Sequence, residues 1–184
     1  MQKLDMLYEE KAKKVYMTDD ENVLIVDYKD DATAFDEKNG FLNRMCGQLF
    51  KKFKNVGVPT NFIEELSESE TAVRKVTVIP LDIFVKNNAS EIFSTKLDVQ
   101  KSISSKYPKI EYSYKNDDLG DPFINDNLAI TLGIVTREEL DLITEYAFKI
   151  NDVVKSYFCE KGMEVTDFKI EFGRLTDGNI ILSV

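Results

Sequence analysis

The chain has no histidine and no tryptophan, and only two cysteines and four prolines among 184 residues. Without histidine, Ser-His-Asp and Cys-His catalysis are excluded, and the commonest zinc ligand is missing. Cys46 and Cys159 lie far apart, each among apolar residues at helical spacing. That pattern reads as buried free thiols in a reducing cytoplasm and not as a disulfide. No segment has the apolar length of a membrane span, and Met1-Gln2-Lys3-Leu4-Asp5 offers no apolar signal-peptide core. Positive charge is also scarce: 24 basic residues against 33 acidic ones give a net charge of -9. This argues against nucleic-acid or anionic-membrane partners, which need a basic surface. A local basic pocket for a small phosphate ligand stays compatible with it.

The length suits one ordinary domain or two small lobes sharing a cleft. Alternation predicts strands over 4–8, 12–17 and 23–28. Phe41, Leu42, Met45, Cys46, Leu49, Phe50 and Phe53 recur at helical spacing up to Gly57 and Pro59. Strands are expected over 61–66 and 71–78, the second with Arg74 and Lys75 in its middle. The apolar run 79–85 contains Pro80, which suits a connector or an edge and not a central ladder. Residues 102–105 read as a loop, 109–114 as a strand, and 116–126 as an acidic loop. Thr136-Arg137-Glu138-Glu139 is a capping box opening a helix that runs to Gly162. Two strands close the chain, turned by 176–179. Strands in two clusters with few helices define an α+β class.

One of those last strands carries the sharpest pattern. In Asp167-Phe168-Lys169-Ile170-Glu171-Phe172-Gly173 the odd positions put Asp167, Lys169 and Glu171 on one face. The charges span roughly 13 Å at about 3.3 Å per residue. Such a face is either the solvated side of an antiparallel strand or an active-site floor, with a lysine for an anion and carboxylates for a metal. Lys11, Lys13 and Lys14 allow the same two readings, a solvated strand or a grip on nucleotide phosphate. The acidic loop reads as a turn before a metal site, because its spacing fits no calcium loop. Lys86-Asn87-Asn88 with Ser90 reads as a capped junction before a phosphate site.

The order of the motifs is more specific than any one of them. Leu7-Tyr8-Glu9-Glu10-Lys11-Ala12-Lys13 is followed by Lys29-Asp30-Asp31-Ala32-Thr33-Ala34 and Val58-Pro59-Thr60-Asn61-Phe62. Ile79-Pro80-Leu81 with Val85-Lys86-Asn87 comes next, then 114–122 with Ile124-Asn125, and finally 167–173. In this order they resemble the SAICAR synthetase family, the phosphoribosylaminoimidazole-succinocarboxamide synthases of purine biosynthesis. The resemblance covers nearly the whole chain. It implies a small antiparallel nucleotide-binding lobe (1–85) and a larger α+β lobe (86–184) with a cleft between them. It also implies ATP and magnesium as cofactors, and aspartate and an imidazole ribonucleotide as substrates. Lys11, Lys13, Lys75, Leu81 and Glu171 would serve the nucleotide, with Glu171 as a metal ligand. Lys86, Ser90, Asp121 and Lys169 would face substrate anions. Homo-oligomerisation stays open.

The departures shape the expected function. Glu10 replaces the family's glycine, which should repel a triphosphate and hinder close backbone approach. Lys86 replaces an arginine, losing bidentate phosphate geometry. Glu91 and Ile92 replace a glycine and a serine, and the chain given stops at Val184, before a family metal ligand. These departures imply a catalytically deficient relative, binding a purine nucleotide or similar molecule for sequestration or regulation, in a phage or defence setting. The alternative is an active ligase joining aspartate to carboxyaminoimidazole ribonucleotide. A third reading has Glu10, Glu91 and Ile92 filling the cleft of an interaction protein.

Overall fold

A computed structural model describes residues 1–10, 12–29, 41–88 and 104–183. Lys11, the segments 30–40 and 89–103, and Val184 lie outside the described residues. The chain forms two compact units, Met1–Thr77 with Arg174–Val184, and Val78–Gly173.

The first unit is built on an antiparallel sheet in the order β1-β2-β3-β5-β4. Its strands are β1 (Lys3–Glu9), β2 (Lys13–Thr18), β3 (Val23–Tyr28), β4 (Phe62–Glu65) and β5 (Glu70–Arg74). Val15, Val26 and Val73 form a buried cluster on one face, with Leu24 and Tyr28 packed against it. Helix α1 (Phe41–Asn55) lies on that face. Phe50 stacks on Phe62 with ring centroids 5.9 Å apart. Buried Asn43 accepts from Thr71 Oγ1 at 2.5 Å and donates to the Ser67 carbonyl at 2.9 Å. Gly57, in the left-handed region at φ 78°, ends the helix as expected.

The second unit holds a sheet in the order β9-β6-β7-β8, from β6 (Thr77–Asn88), β7 (Ser104–Tyr114), β8 (Phe123–Ile124) and β9 (Asp167–Arg174). After the turn at 175–179, β10 (Ile180–Ser183) returns to the first unit, where Leu182 bridges Thr60. Odd-numbered Leu81, Ile83 and Val85 of β6 are fully buried. They face helix α3 (Arg137–Cys159), whose buried stripe is Leu140, Ile143, Ala147, Ile150, Val154 and Tyr157. The Tyr146 ring stacks on Phe172 at 6.3 Å, and the Tyr112 hydroxyl meets Thr144 Oγ1 at 3.1 Å. The capping box is present: Thr136 accepts from the Glu139 amide and Glu139 accepts from the Thr136 amide.

Several elements differ from the sequence reading. The strand expected over 71–78 is divided between two elements: β5 ends at Arg74, and β6 starts at Thr77. The run 79–85 is not a connector or an edge but the middle of β6, between β9 and β7. Pro80 is tolerated there because pairing with β7 starts one residue later, at Leu81↔Tyr114. Its carbonyl still accepts from the Lys115 amide. Strand β6 also runs through residue 85, where the sequence suggested a boundary. Ser104 and Ser105 begin β7 instead of closing a loop. Asn125 caps a short helix, α2 (Asp126–Thr131), that the acidic composition hid. Both cysteines are free, but Cys159 is exposed and not buried, since it ends α3 beyond the apolar stripe. Among the described residues no helix is long and apolar enough to cross a membrane.

One polar pair is sealed inside the second unit. Asn87 and Asn151 exchange two amide hydrogen bonds, each 2.9 Å, and Asn87 also donates to the Val165 carbonyl at 3.1 Å. Replacing Asn151 by leucine keeps the branching of the side chain but removes both of its hydrogen bonds with the buried Asn87. The expected loss is about 1–3 kcal/mol of stability, read as a lower urea midpoint. An unchanged midpoint would show that the pair contributes nothing.

Candidate active site

The face of the second sheet opposite α3 is where the charges gather. Asp82, Phe84 and Lys86 alternate with the buried residues of β6. Across the ladder they stand opposite Ser113, Glu111 and Lys109 of β7, which therefore share their face. From β9 come Lys169 and Glu171, and Lys115 follows directly after β7.

These groups form a closed network. Lys169 Nζ lies 3.1 Å from Asp82 Oδ1 and 3.0 Å from Glu171 Oε1. Lys115 Nζ lies 2.8 Å from Glu171 Oε2 and 3.9 Å from Asp82 Oδ1. Two ammonium groups thus balance two carboxylates. Burial works against the charge of Asp82 and pushes its carboxyl up, although Lys169 pulls the other way. Burial would raise Glu171 too, but the hydrogen bonds and charge of Lys115 and Lys169 outweigh it and hold the carboxyl at about 2. Lys169 is raised: its own burial opposes the charge, and Glu171 and Asp82 overcome that. Beside this network, Lys86 and Lys109 both pair with Glu111, and Lys86 sits 5.6 Å from the Phe123 ring centre. Burial opposes ionisation of Glu111, yet the two lysines keep its carboxyl low.

The structure joins some of the expected site residues and separates others. Lys169 and Glu171 meet in the network, and Lys86 shares their face. Asp121 closes the acidic turn: its carboxylate accepts from the Asn116 amide at 2.7 Å and its carbonyl accepts from Ser113 Oγ at 2.7 Å. It does so in the left-handed region at φ 48°, which aspartate tolerates better than most residues. The side chain of Leu81 belongs to the core. Lys13 lies in the first unit, its side chain largely buried and its Nζ 3.5 Å from Glu10. Lys75, also in the first unit, is exposed between β5 and β6. Lys11 and Ser90, with Glu91 and Ile92, lie outside the described residues. Glu171 does not stand in a metal cage: each of its oxygens accepts from a lysine. Among the described residues no three acidic or cysteine side chains converge on a point that could hold a metal ion.

Sequence reasoning missed Asp82, Glu111, Lys109 and Lys115. A signal existed for Asp82, a lone carboxylate inside the apolar run 79–85, since an acid in such a run is rarely buried without a partner. No local pattern could have found the reach of Lys115 to Glu171, because 56 residues separate them.

Two antiparallel sheets with few helices, one sheet with a face of paired lysines and carboxylates, define an α+β protein. The comparisons with known proteins narrow this further. The SAICAR synthetase family model matches residues 6–183, and the chain belongs to that family. It is similar to a phosphoribosylaminoimidazole-succinocarboxamide synthase of Lachnoclostridium phytofermentans, with 50% identity over 98% of this chain and 80% of that protein. Its fold matches the crystal structure of the synthase from Ehrlichia chaffeensis, with a TM-score of 0.87, 32% identity, and coverage of 98% of this chain and 81% of that one. It also matches a SAICAR synthetase solved in complex with ADP, with a TM-score of 0.83, 36% identity, and coverage of 98% and 79%.

These findings overturn the expectation of a catalytically deficient binder, because the chain is half identical to a protein named as the synthase over almost all of its length. The substitution at residue 10 gives a physical reason for the misreading. Glu10 is half-exposed and its carboxylate sits beside Lys13, so its charge is balanced locally.

The depressed Glu171 carboxyl has a measurable consequence. Its ionised form adds stability above its ordinary value of 4.5, and this contribution is lost as the pH falls from there through about 2. After a discount for partial exposure, wild type should exceed E171Q by about 1–3 kcal/mol near neutral pH. Urea unfolding should show that gap shrinking on acidification. A gap independent of pH would contradict the assignment.

Proposed function

We propose that the chain is an ATP-dependent ligase that joins aspartate to carboxyaminoimidazole ribonucleotide in purine biosynthesis. The observation that carries this reading is the 50% identity to a protein named as that synthase over 98% of the chain. The two free cysteines fit a reducing cytoplasm.

The chemistry suits a site of cations without histidine. A carboxylate oxygen of the ribonucleotide attacks the γ-phosphorus of ATP, and the bond to ADP breaks. The aspartate amine then attacks the acyl phosphate, the phosphate leaves with its bonding electrons, and the nitrogen gives up its proton. Both steps build charge on phosphoryl or acyl oxygens, which positioned ammonium groups stabilise. In this reading Lys169 and Lys86 meet substrate anions, together with Ser90 and Asp121. Lys11, Lys13, Lys75 and the strand around Leu81 serve ATP. Magnesium accompanies nucleotide phosphates and takes one or two protein carboxylates. Glu171, engaged by two lysines, does not offer such a site as it stands.

The test is release of ADP with ATP, magnesium and the ribonucleotide, with and without aspartate. Aspartate-dependent ADP and an amide product of matching mass are expected. Lys169→Met should lower kcat/KM by about a hundredfold or more, the scale of a lost transition-state charge contact. Absence of aspartate-dependent turnover in the wild type would refute the reading.

A further inference from the structure

Resting on this ligase reading, we infer that Asp82 is a positioning residue that aims Lys169 at the anion of the ribonucleotide substrate. An ammonium group has three donors on a flexible four-carbon stem, so one ion pair does not fix its direction. Lys169 is held from two strands: by Glu171, two residues away on β9, and by Asp82 on β6. With Glu171 alone, the ammonium could swing about a single partner on its own strand. Asp82 supplies the second fixed point. It is only 7% exposed, and β6 is hydrogen-bonded on both sides, so the carboxylate has little freedom of its own. Two donors of Lys169 are thereby committed, and among the described residues the third has no protein acceptor.

The charge count supports the same role. Lys169 and Lys115 bring two positive charges and Asp82 and Glu171 two negative ones, so the network is neutral before a substrate arrives. An incoming anion is then not trapped by a large positive field. It meets one oriented N–H, and the carboxylates keep the lysine in place while that bond forms.

Steady-state kinetics of Asp82→Asn and Asp82→Glu test this. Asp82→Asn should raise KM for the ribonucleotide about tenfold to a hundredfold, the scale of a slightly misplaced contact, and leave KM for ATP unchanged. Asp82→Glu keeps the charge and should recover most of the loss. If Asp82→Asn does not fold, Asp82→Ser, which leaves room for water beside Lys169, is read in the same way. Calorimetric titration with the ribonucleotide alone separates this inference from the ligase reading. Weaker binding by the variant supports it even where the wild type shows no turnover. A wild type that turns over, with an Asp82→Asn variant of unchanged ribonucleotide KM, overturns the inference and leaves the ligase reading standing.

Discussion

A carboxylate placed on a β-sheet face and largely withdrawn from water must be paired, and Asp82 is that carboxylate. Desolvating an ion costs several kcal/mol, and only a well-placed counter-charge offsets it. Lys169 supplies the counter-charge, Glu171 holds Lys169, and Lys115 completes the balance. Four side chains from β6, β9 and the end of β7 therefore depend on one another. Each is ordered because the others are. In the proposed reaction this order matters more than the number of lysines, because a transition-state contact must already be aimed when charge develops.

The sheet can hold such a network because its other face is so plainly apolar. Leu81, Ile83 and Val85 are fully buried against the stripe of α3, which locks the register of β6. A slip by one residue would drive Asp82 and Lys86 into the core and expose the apolar set, so register and charge placement are one constraint. The buried Asn87–Asn151 pair reinforces it, tying the end of β6 to α3 directly beyond Lys86. The first unit follows the same economy with different parts. Lys29 pairs with Glu9 and donates to the Glu10 carbonyl, tying the end of β3 to the turn between β1 and β2.

Much of this architecture was legible in the sequence. The strand alternation of 167–173 and the capping box at Thr136 are local signals, and both elements form where the residues place them. Pro80 misled because local propensity speaks of the missing N–H, while tertiary position decides whether that N–H is needed. Asp126 misled because acidic composition hid the cap at Asn125. The candidate site was half legible. Lys169 and Glu171 stand out by alternation, but their partners Asp82 and Lys115 lie 87 and 56 residues away from the groups they meet. Only the folded sheet brings them together. The functional misreading had the same root. Glu10 looked hostile to phosphate in isolation, and the structure sets its charge beside a lysine.

The central claim, that this charged face serves an acyl-phosphate ligase, is tested most directly by following an oxygen atom. The ribonucleotide is prepared with its carboxylate labelled by heavy oxygen and turned over with ATP, magnesium and aspartate. The released phosphate is then weighed by mass spectrometry. Activation of the carboxylate by ATP carries one labelled oxygen into each phosphate. Amide formation with unlabelled phosphate would contradict the account.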